Sequence, residues 1–151
     1  MAAPGPRLLM VCTGNICRSP TMEGVLRAWA QRRGWGAHMD SAGTEGWHAG
    51  EPPDPRTQAA ARARGYELGD LRARRVRLED FSRFDLILAA DRGHLAQLRA
   101  LAPREAGRKV RLFLGEGELP DPYDGGPEGF EAVLDAVEAR ARAWDGSAGF
   151  F

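Results

Sequence analysis

The sequence predicts an α/β fold, a parallel sheet wrapped by helices, and three observations carry that expectation. Short apolar runs alternate along the chain with longer stretches of helical period. The runs are continuous rather than alternating, as in strands covered on both faces. The third observation is size: 151 residues and 16.5 kDa suffice for one domain, spanning 1–151, and not for two. Such alternation calls for right-handed crossovers between parallel neighbours, with ligands bound at the carboxyl ends of the strands.

Leu8-Leu9-Met10-Val11-Cys12 reads as the first strand. From Pro20 to Arg33, Met22, Val25, Leu26, Trp29 and Ala30 mark one face of a helix that Gly34 stops. A second short strand is expected through Ala37 to Ser41, and an alanine- and arginine-rich helix from Pro55 to Arg64, ended by Gly65. Phe84 to Ala90 reads as a buried strand. Asp91 then suits the N-cap of a helix carrying Leu95, Leu98 and Leu101, which Pro103 closes. Val110 to Leu114 is the last strand, and Phe130 to Trp144 the last helix, with Val133, Leu134 and Val137 inside. Cys12, Asp91 and the loop after Leu114 therefore fall on one sheet edge.

Composition narrows the function classes. Twenty-one basic residues balance 21 acidic ones, so net charge gives no reason to expect nucleic acid or a membrane surface as partner. No apolar run approaches the roughly 20 residues of a membrane span. The stretch Met1 to Arg7 lacks the order of a signal peptide. Two cysteines five residues apart make no disulfide framework, which points to a reducing, cytoplasmic setting. His38, His48 and His94 show no ligand spacing, so a metal site carries little weight.

The informative stretch is Cys12-Thr13-Gly14-Asn15-Ile16-Cys17-Arg18-Ser19-Pro20, which leaves a strand and enters a helix. Free backbone N–H groups there can converge on an anion. Gly14 and Asn15 tolerate the positive φ of a tight curl, and Arg18 supplies a planar fork for two phosphate oxygens. The same positive groups favour the thiolate form of Cys12 and make it a nucleophile facing a bound phosphate. A Walker A loop would end in Gly-Lys-Ser/Thr and has no use for the thiol. The bland alternative is that both cysteines are merely small buried residues beside a turn.

The nine residues Cys12 to Pro20 resemble the signature of the low-molecular-weight protein tyrosine phosphatases. Further matches run in order through Ser41-Ala42-Gly43-Thr44, Trp47-His48-Ala49-Gly50, Asp54-Pro55-Arg56, Arg72-Ala73-Arg74, Glu79-Asp80-Phe81, Asp91 and Asp121-Pro122-Tyr123. The resemblance implies a flavodoxin-like, four-stranded parallel sheet with helices on both faces. It also implies hydrolysis of phosphotyrosine monoesters through a covalent cysteinyl-phosphate, without cofactor or metal. Cys12 would be the nucleophile and Asp121 the general acid. Arg18 and the loop residues Thr13, Gly14, Asn15, Ile16, Cys17 and Ser19 would hold the phosphate. Ser19 would donate to the Cys12 thiolate, while Trp47 and Tyr123 would wall the substrate slot.

Partners would then be phosphotyrosine-containing proteins, with inorganic phosphate as product and the chain acting as a monomer. On residues alone, Asp121-Pro122 is an ordinary turn dipeptide and Trp47 a core residue. The Gly-flanked loop around Trp47 argues for exposure instead. His48 reads as rim, and the run Arg72, Arg74, Arg75, Arg77 as a solvated or salt-bridged surface. Cys12 and Cys17 form a candidate redox pair, which spacing leaves open against an inward-packed Cys17 and which the resemblance favours.

Two positions depart from the family pattern. Leu71 stands where relatives often carry a histidine that supports Asn15 and Ser19, so the loop needs other partners. Asp124 stands where many carry a second aromatic. An arsenate reductase of the same fold would need cysteines beyond Cys17. A protein-arginine phosphatase would have threonine at the Ile16 position, and a mere phosphate-binding module would lack Cys12 or Asp121.

Overall fold

The computed structural model describes residues 5–151, so the first four residues of the N-terminal stretch discussed above lie outside the described residues. Four strands, β1 (Arg7–Cys12), β2 (His38–Gly43), β3 (Leu86–Ala89) and β4 (Val110–Leu112), form one wholly parallel sheet in the order β2-β1-β3-β4. Helices α1 (Arg18–Arg32), α2 (Pro55–Arg62), α3 (Asp80–Arg83), α4 (Arg92–Leu101) and α5 (Pro127–Ala143) surround it.

Successive side chains of β1 point to opposite faces, and both faces are covered. Leu8, Met10 and Cys12 join one apolar cluster with Met22, Val25 and Leu26 of α1 and Val133, Leu134 and Val137 of α5. Leu9 and Val11 join another with Phe81, Ile87 and Leu98. Each such buried side chain contributes about 1.5–3 kcal/mol, which is why this run forms the sheet's centre.

Several boundaries differ from expectation. Pairing of Val11 with Ala42 and Cys12 with Gly43 carries β2 two residues past Ser41. At the other edge β4 stops at Leu112, because the chain folds back at Leu114 and Gly117, with Gly115 at φ 82°. β3 likewise keeps only Leu86–Ala89 of the Phe84–Ala90 run. α1 opens at Arg18, two residues before Pro20, and ends at Arg32 beside Gly34, which takes φ 70°. α2 stops at Arg62, and α5 starts at Pro127, whose fixed φ suits a first turn. Asp91 caps α4 as anticipated, its side chain accepting from the His94 N–H at 3.0 Å. Leu98 is the buried leucine of that helix, whereas Leu101 is exposed.

The chain leaves β1 toward β2 on one side, and the later strands add on the other. The carboxyl ends of β1 and β3 thus flank the point where strand order reverses.

Candidate active site

At that point the chain after Cys12 curls tightly and enters α1. Asn15 takes φ 59°, the left-handed conformation that asparagine tolerates better than most residues. Gly14, expected to share that role, does not take a positive φ. Its lack of a side chain serves space instead, since a Cβ there would meet His48 Cδ2 at 2.9 Å. Among the described residues, the N–H groups of Gly14, Asn15 and Ile16 donate to no backbone carbonyl. The first amides of α1 add further free donors. Buried amides need a partner, and a tetrahedral oxyanion supplies one.

A directed chain of hydrogen bonds fixes the curl. The Arg74 N–H donates to Asn15 Oδ1 at 3.0 Å, and Asn15 Nδ2 donates to Ser19 Oγ at 2.7 Å and to Ser41 Oγ at 3.0 Å. Ser41 passes its proton on to Glu23 Oε1 at 2.6 Å. Ser19 has therefore accepted a bond and keeps its own proton for Cys12 Sγ, 3.1 Å away; the carbonyl of Ala42, its other acceptor, lies at 3.5 Å. Burial pushes the Glu23 carboxyl up, against the hydrogen bond from Ser41 and the charge of Arg27. Leu71 packs at the edge of the larger apolar cluster. The support a histidine would give comes here from Ser41, Glu23 and the Arg74 backbone.

Arg18 is 3% exposed, and its Nη1 donates to Asp91 Oδ2 at 2.9 Å and to the Leu119 carbonyl at 3.0 Å. Nη2 lies 3.7 Å from Asp121 Oδ2 and reaches Thr13 Oγ1 at 3.5 Å. Thr13 Oγ1 is in turn 2.7 Å from His94 Nε2. Burial pushes the Asp91 carboxyl up, but the His94 N–H and Arg18 outweigh it and hold the group below the ordinary aspartate range.

Above the loop opens a cleft of about 250 Å³ lined by Cys12, Thr13, Gly14, Ile16, Cys17, Arg18, Trp47, His48, Asp121 and Tyr123. Trp47 is 71% exposed and Tyr123 45%, whereas Trp144 lies in the core. His48 sits at the rim, paired with Glu51 at 2.6 Å. The residues expected as nucleophile, acid, phosphate holders and slot walls are thus gathered around one opening, with Asn15 and Ser19 beneath it. Cys17 is a free, buried thiol that burial pushes up to about 12. Of the arginine run, Arg74 is salt-bridged, to Asp80 at 2.9 Å and Asp40 at 3.1 Å.

Three contributors escaped sequence reasoning. Glu23 carries no motif that marks it, and His94 reads only as a histidine without ligand spacing. Arg56 stacks over Tyr123 at 5.4 Å and Phe130 at 4.8 Å while gripping Asp54, and so ties the acid-bearing loop to α2 and α5. Asp54-Pro55-Arg56 was visible as a motif, but the ring it would meet was not. Among the described residues no helix is long and apolar enough to cross a membrane.

A pocket that offers a tetrahedral oxyanion both free amides and a thiol defines a class: hydrolases of phosphate monoesters that work through cysteine. Comparison with known proteins narrows it. The family described as low molecular weight phosphotyrosine protein phosphatase matches residues 7–148. A low molecular weight protein-tyrosine-phosphatase of Streptomyces coelicolor is 50% identical over 144 residues, covering 88% of this chain and 87% of its own. The solved low molecular weight phosphotyrosine phosphatase of Vibrio cholerae superposes with a TM-score of 0.87 at 35% identity, over 92% of this chain and 94% of that one. Vibrio vulnificus Wzb, solved in complex with benzylphosphonate, gives 0.84 at 32% identity, over 93% and 97%. The chain belongs to the low molecular weight phosphotyrosine protein phosphatase family.

Proposed function

We propose that this phosphatase hydrolyses phosphotyrosine with Cys12 as nucleophile, Arg18 and the loop from Thr13 to Ser19 as phosphate holder, and Asp121 as general acid. The observation that carries the assignment is the placement of Ser19 Oγ at 3.1 Å from Cys12 Sγ, with its proton directed there by Asn15. A sulfur so served is stabilised as thiolate and, later, as leaving group.

In the first step the Cys12 sulfur forms a bond to phosphorus as the bond to the tyrosyl oxygen breaks. Asp121 gives its proton to that oxygen. A phenolate is a poor leaving group, because its conjugate acid has a pKa of about 10, so the proton matters. In the second step the Asp121 carboxylate takes a proton from water, and the resulting nucleophile attacks phosphorus. The sulfur–phosphorus bond breaks and inorganic phosphate is released. Arg18 and the loop amides carry the charge that spreads over the equatorial oxygens. The 3.7 Å contact between Arg18 Nη2 and Asp121 Oδ2 supports that role for the carboxyl.

Trp47, Tyr123 and Ile16 favour an aryl phosphate, since a shorter phosphoserine would not carry its phosphorus down to Cys12. The benzylphosphonate held by Wzb is an aryl ligand of this kind and supports the reading. Phosphotyrosine-containing proteins are the proposed substrates of a cytoplasmic monomer, the two free thiols supporting the reducing compartment alone.

Cys12→Ser is the direct test. It should abolish turnover of an aryl phosphate while inorganic phosphate still binds, because backbone and Arg18 make most of the oxyanion contacts. Retained turnover would remove the mechanism.

A further inference from the structure

We infer that His94 is a positioning residue of the phosphate loop, holding the second nitrogen of Arg18 through the Thr13 hydroxyl. The imidazole is 4% exposed in the first turn of α4, so both ring nitrogens lack water as a partner. Nε2 has a short contact, 2.7 Å to Thr13 Oγ1. Nδ1 lies 3.0 Å from Asp91 Oδ1 but out of line for a hydrogen bond, that oxygen being engaged by the His94 N–H. The bond to Thr13 is thus the ring's one well-formed contact, and Thr13 directly follows Cys12 in the chain.

The direction of the bond follows from Asp91. A carboxylate offers only lone pairs, so Nδ1, 3.0 Å from Asp91 Oδ1, carries the ring hydrogen. Nε2 of the neutral ring is then unprotonated and accepts from the Thr13 hydroxyl, whose oxygen turns a lone pair to Arg18 Nη2 at 3.5 Å. The start of α4 therefore grips both guanidinium nitrogens, Nη1 directly through Asp91 and Nη2 by way of His94 and Thr13. An imidazole that merely filled space beneath α4 would not need a hydroxyl at 2.7 Å on the catalytic loop.

The arrangement holds only while the ring is neutral. The charged groups facing it are Asp91 at its own helix start, Arg18 from α1 and Asp121 from the loop after β4. Burial holds the imidazole below the ordinary histidine range; Arg18 adds to this and the two carboxylates oppose it. Protonation turns Nε2 into a donor, so the Thr13 hydrogen loses its acceptor and a second cation stands beside Arg18. The contribution of His94 is therefore present above its titration, and lost as pH falls through a window below about 6.5.

The inference rests on the phosphatase reading, and one set of variants separates the two. His94→Leu and Thr13→Val should each lower kcat/KM on an aryl phosphate by about tenfold and weaken binding of inorganic phosphate, as expected for an unpaired buried group. The double variant should be no worse than Thr13→Val alone. His94→Gln, whose amide oxygen can accept from Thr13, should recover much of the loss. The ratio of parent to His94→Gln should fall as pH drops through the imidazole titration, since only the parent loses its acceptor. Additive losses in the double variant, a pH-independent ratio, or a lowered melting temperature with unchanged kcat/KM would each overturn the role of His94. Phosphate affinity reads that role even if the parent failed to turn over, an outcome that would sink the phosphatase reading separately.

Discussion

Beneath the cleft, Asn15, Ser19, Ser41 and Glu23 are each at most 4% exposed and bonded to one another in a fixed order of donors and acceptors. Above it, Trp47 and Tyr123 stand 71% and 45% exposed, and the Asp121 side chain 55%. The floor is set before substrate arrives, as electrostatic stabilisation of a transition state requires. On the Tyr123 side the rim is tied by Arg56 stacked on the ring, a contact worth about 0.5–1 kcal/mol at an exposed site. The proposed nucleophile and phosphate holder sit on the rigid side, while the proposed acid and whatever differs between substrates meet on the side that can adjust.

The largest effect on this contrast should come from the rim's one chemical group. Asp121→Asn should slow aryl phosphates with poor leaving groups by about 10²–10⁴-fold, and those with good leaving groups far less, with the melting temperature unchanged. Equal losses across a leaving-group series would make Asp121 structural.

Next comes the floor. Asn15→Gly keeps the left-handed backbone but strips the bonds to Arg74, Ser19 and Ser41. It should cost about 1–3 kcal/mol of stability in denaturant titration and reduce turnover as well. Asn15→Ala should cost roughly 1 kcal/mol more, the price of φ 59° with a Cβ. If the two variants were alike, the backbone would not be strained there.

A redox experiment sharpens the same division. Peroxide oxidises the Cys12 thiolate to a sulfenic acid, and the Cys17 thiol can condense with it to a disulfide and water. The parent should regain activity with a thiol reductant, and Cys17→Ser should regain several-fold less. Equal recovery would show that Cys17 only packs.

The smallest effect on stability is expected at Trp47. Trp47→Ala should leave stability within about 0.5 kcal/mol, as for an exposed side chain, while raising KM for aryl phosphates. A clear loss of stability would place the rim among the rigid parts.

What the sequence reveals and what it hides divides along similar lines. The three apolar runs, the Asp91 cap and the loop from Cys12 to Pro20 are local patterns, written in neighbouring residues. Strand ends are not, because pairing with another strand decides them, as Gly43 shows by pairing with Cys12. Nor is the floor network, whose partners Asn15 and Ser41 stand 26 residues apart, or the bond from Arg18 to the Leu119 carbonyl, 101 residues away. Gly14 illustrates a right residue with the wrong reason. Its type suggests backbone freedom, and only the position of His48 shows that it makes room. The departure at Leu71 was visible, but its remedy in Ser41 and Glu23 was not.

Asp91 serves two masters. One oxygen starts α4, and the other holds Arg18. Its carboxyl titrates below the ordinary aspartate range, so what it contributes to stability is present above about pH 4 and lost as pH falls through the folded-state value. A single protonation then weakens a helix cap and the hold on the proposed phosphate-binding arginine together. Below the His94 window, the further loss of activity and the first loosening of the scaffold should therefore coincide. The two duties can part in one direction: an asparagine here would still cap the helix but would offer Arg18 no charge.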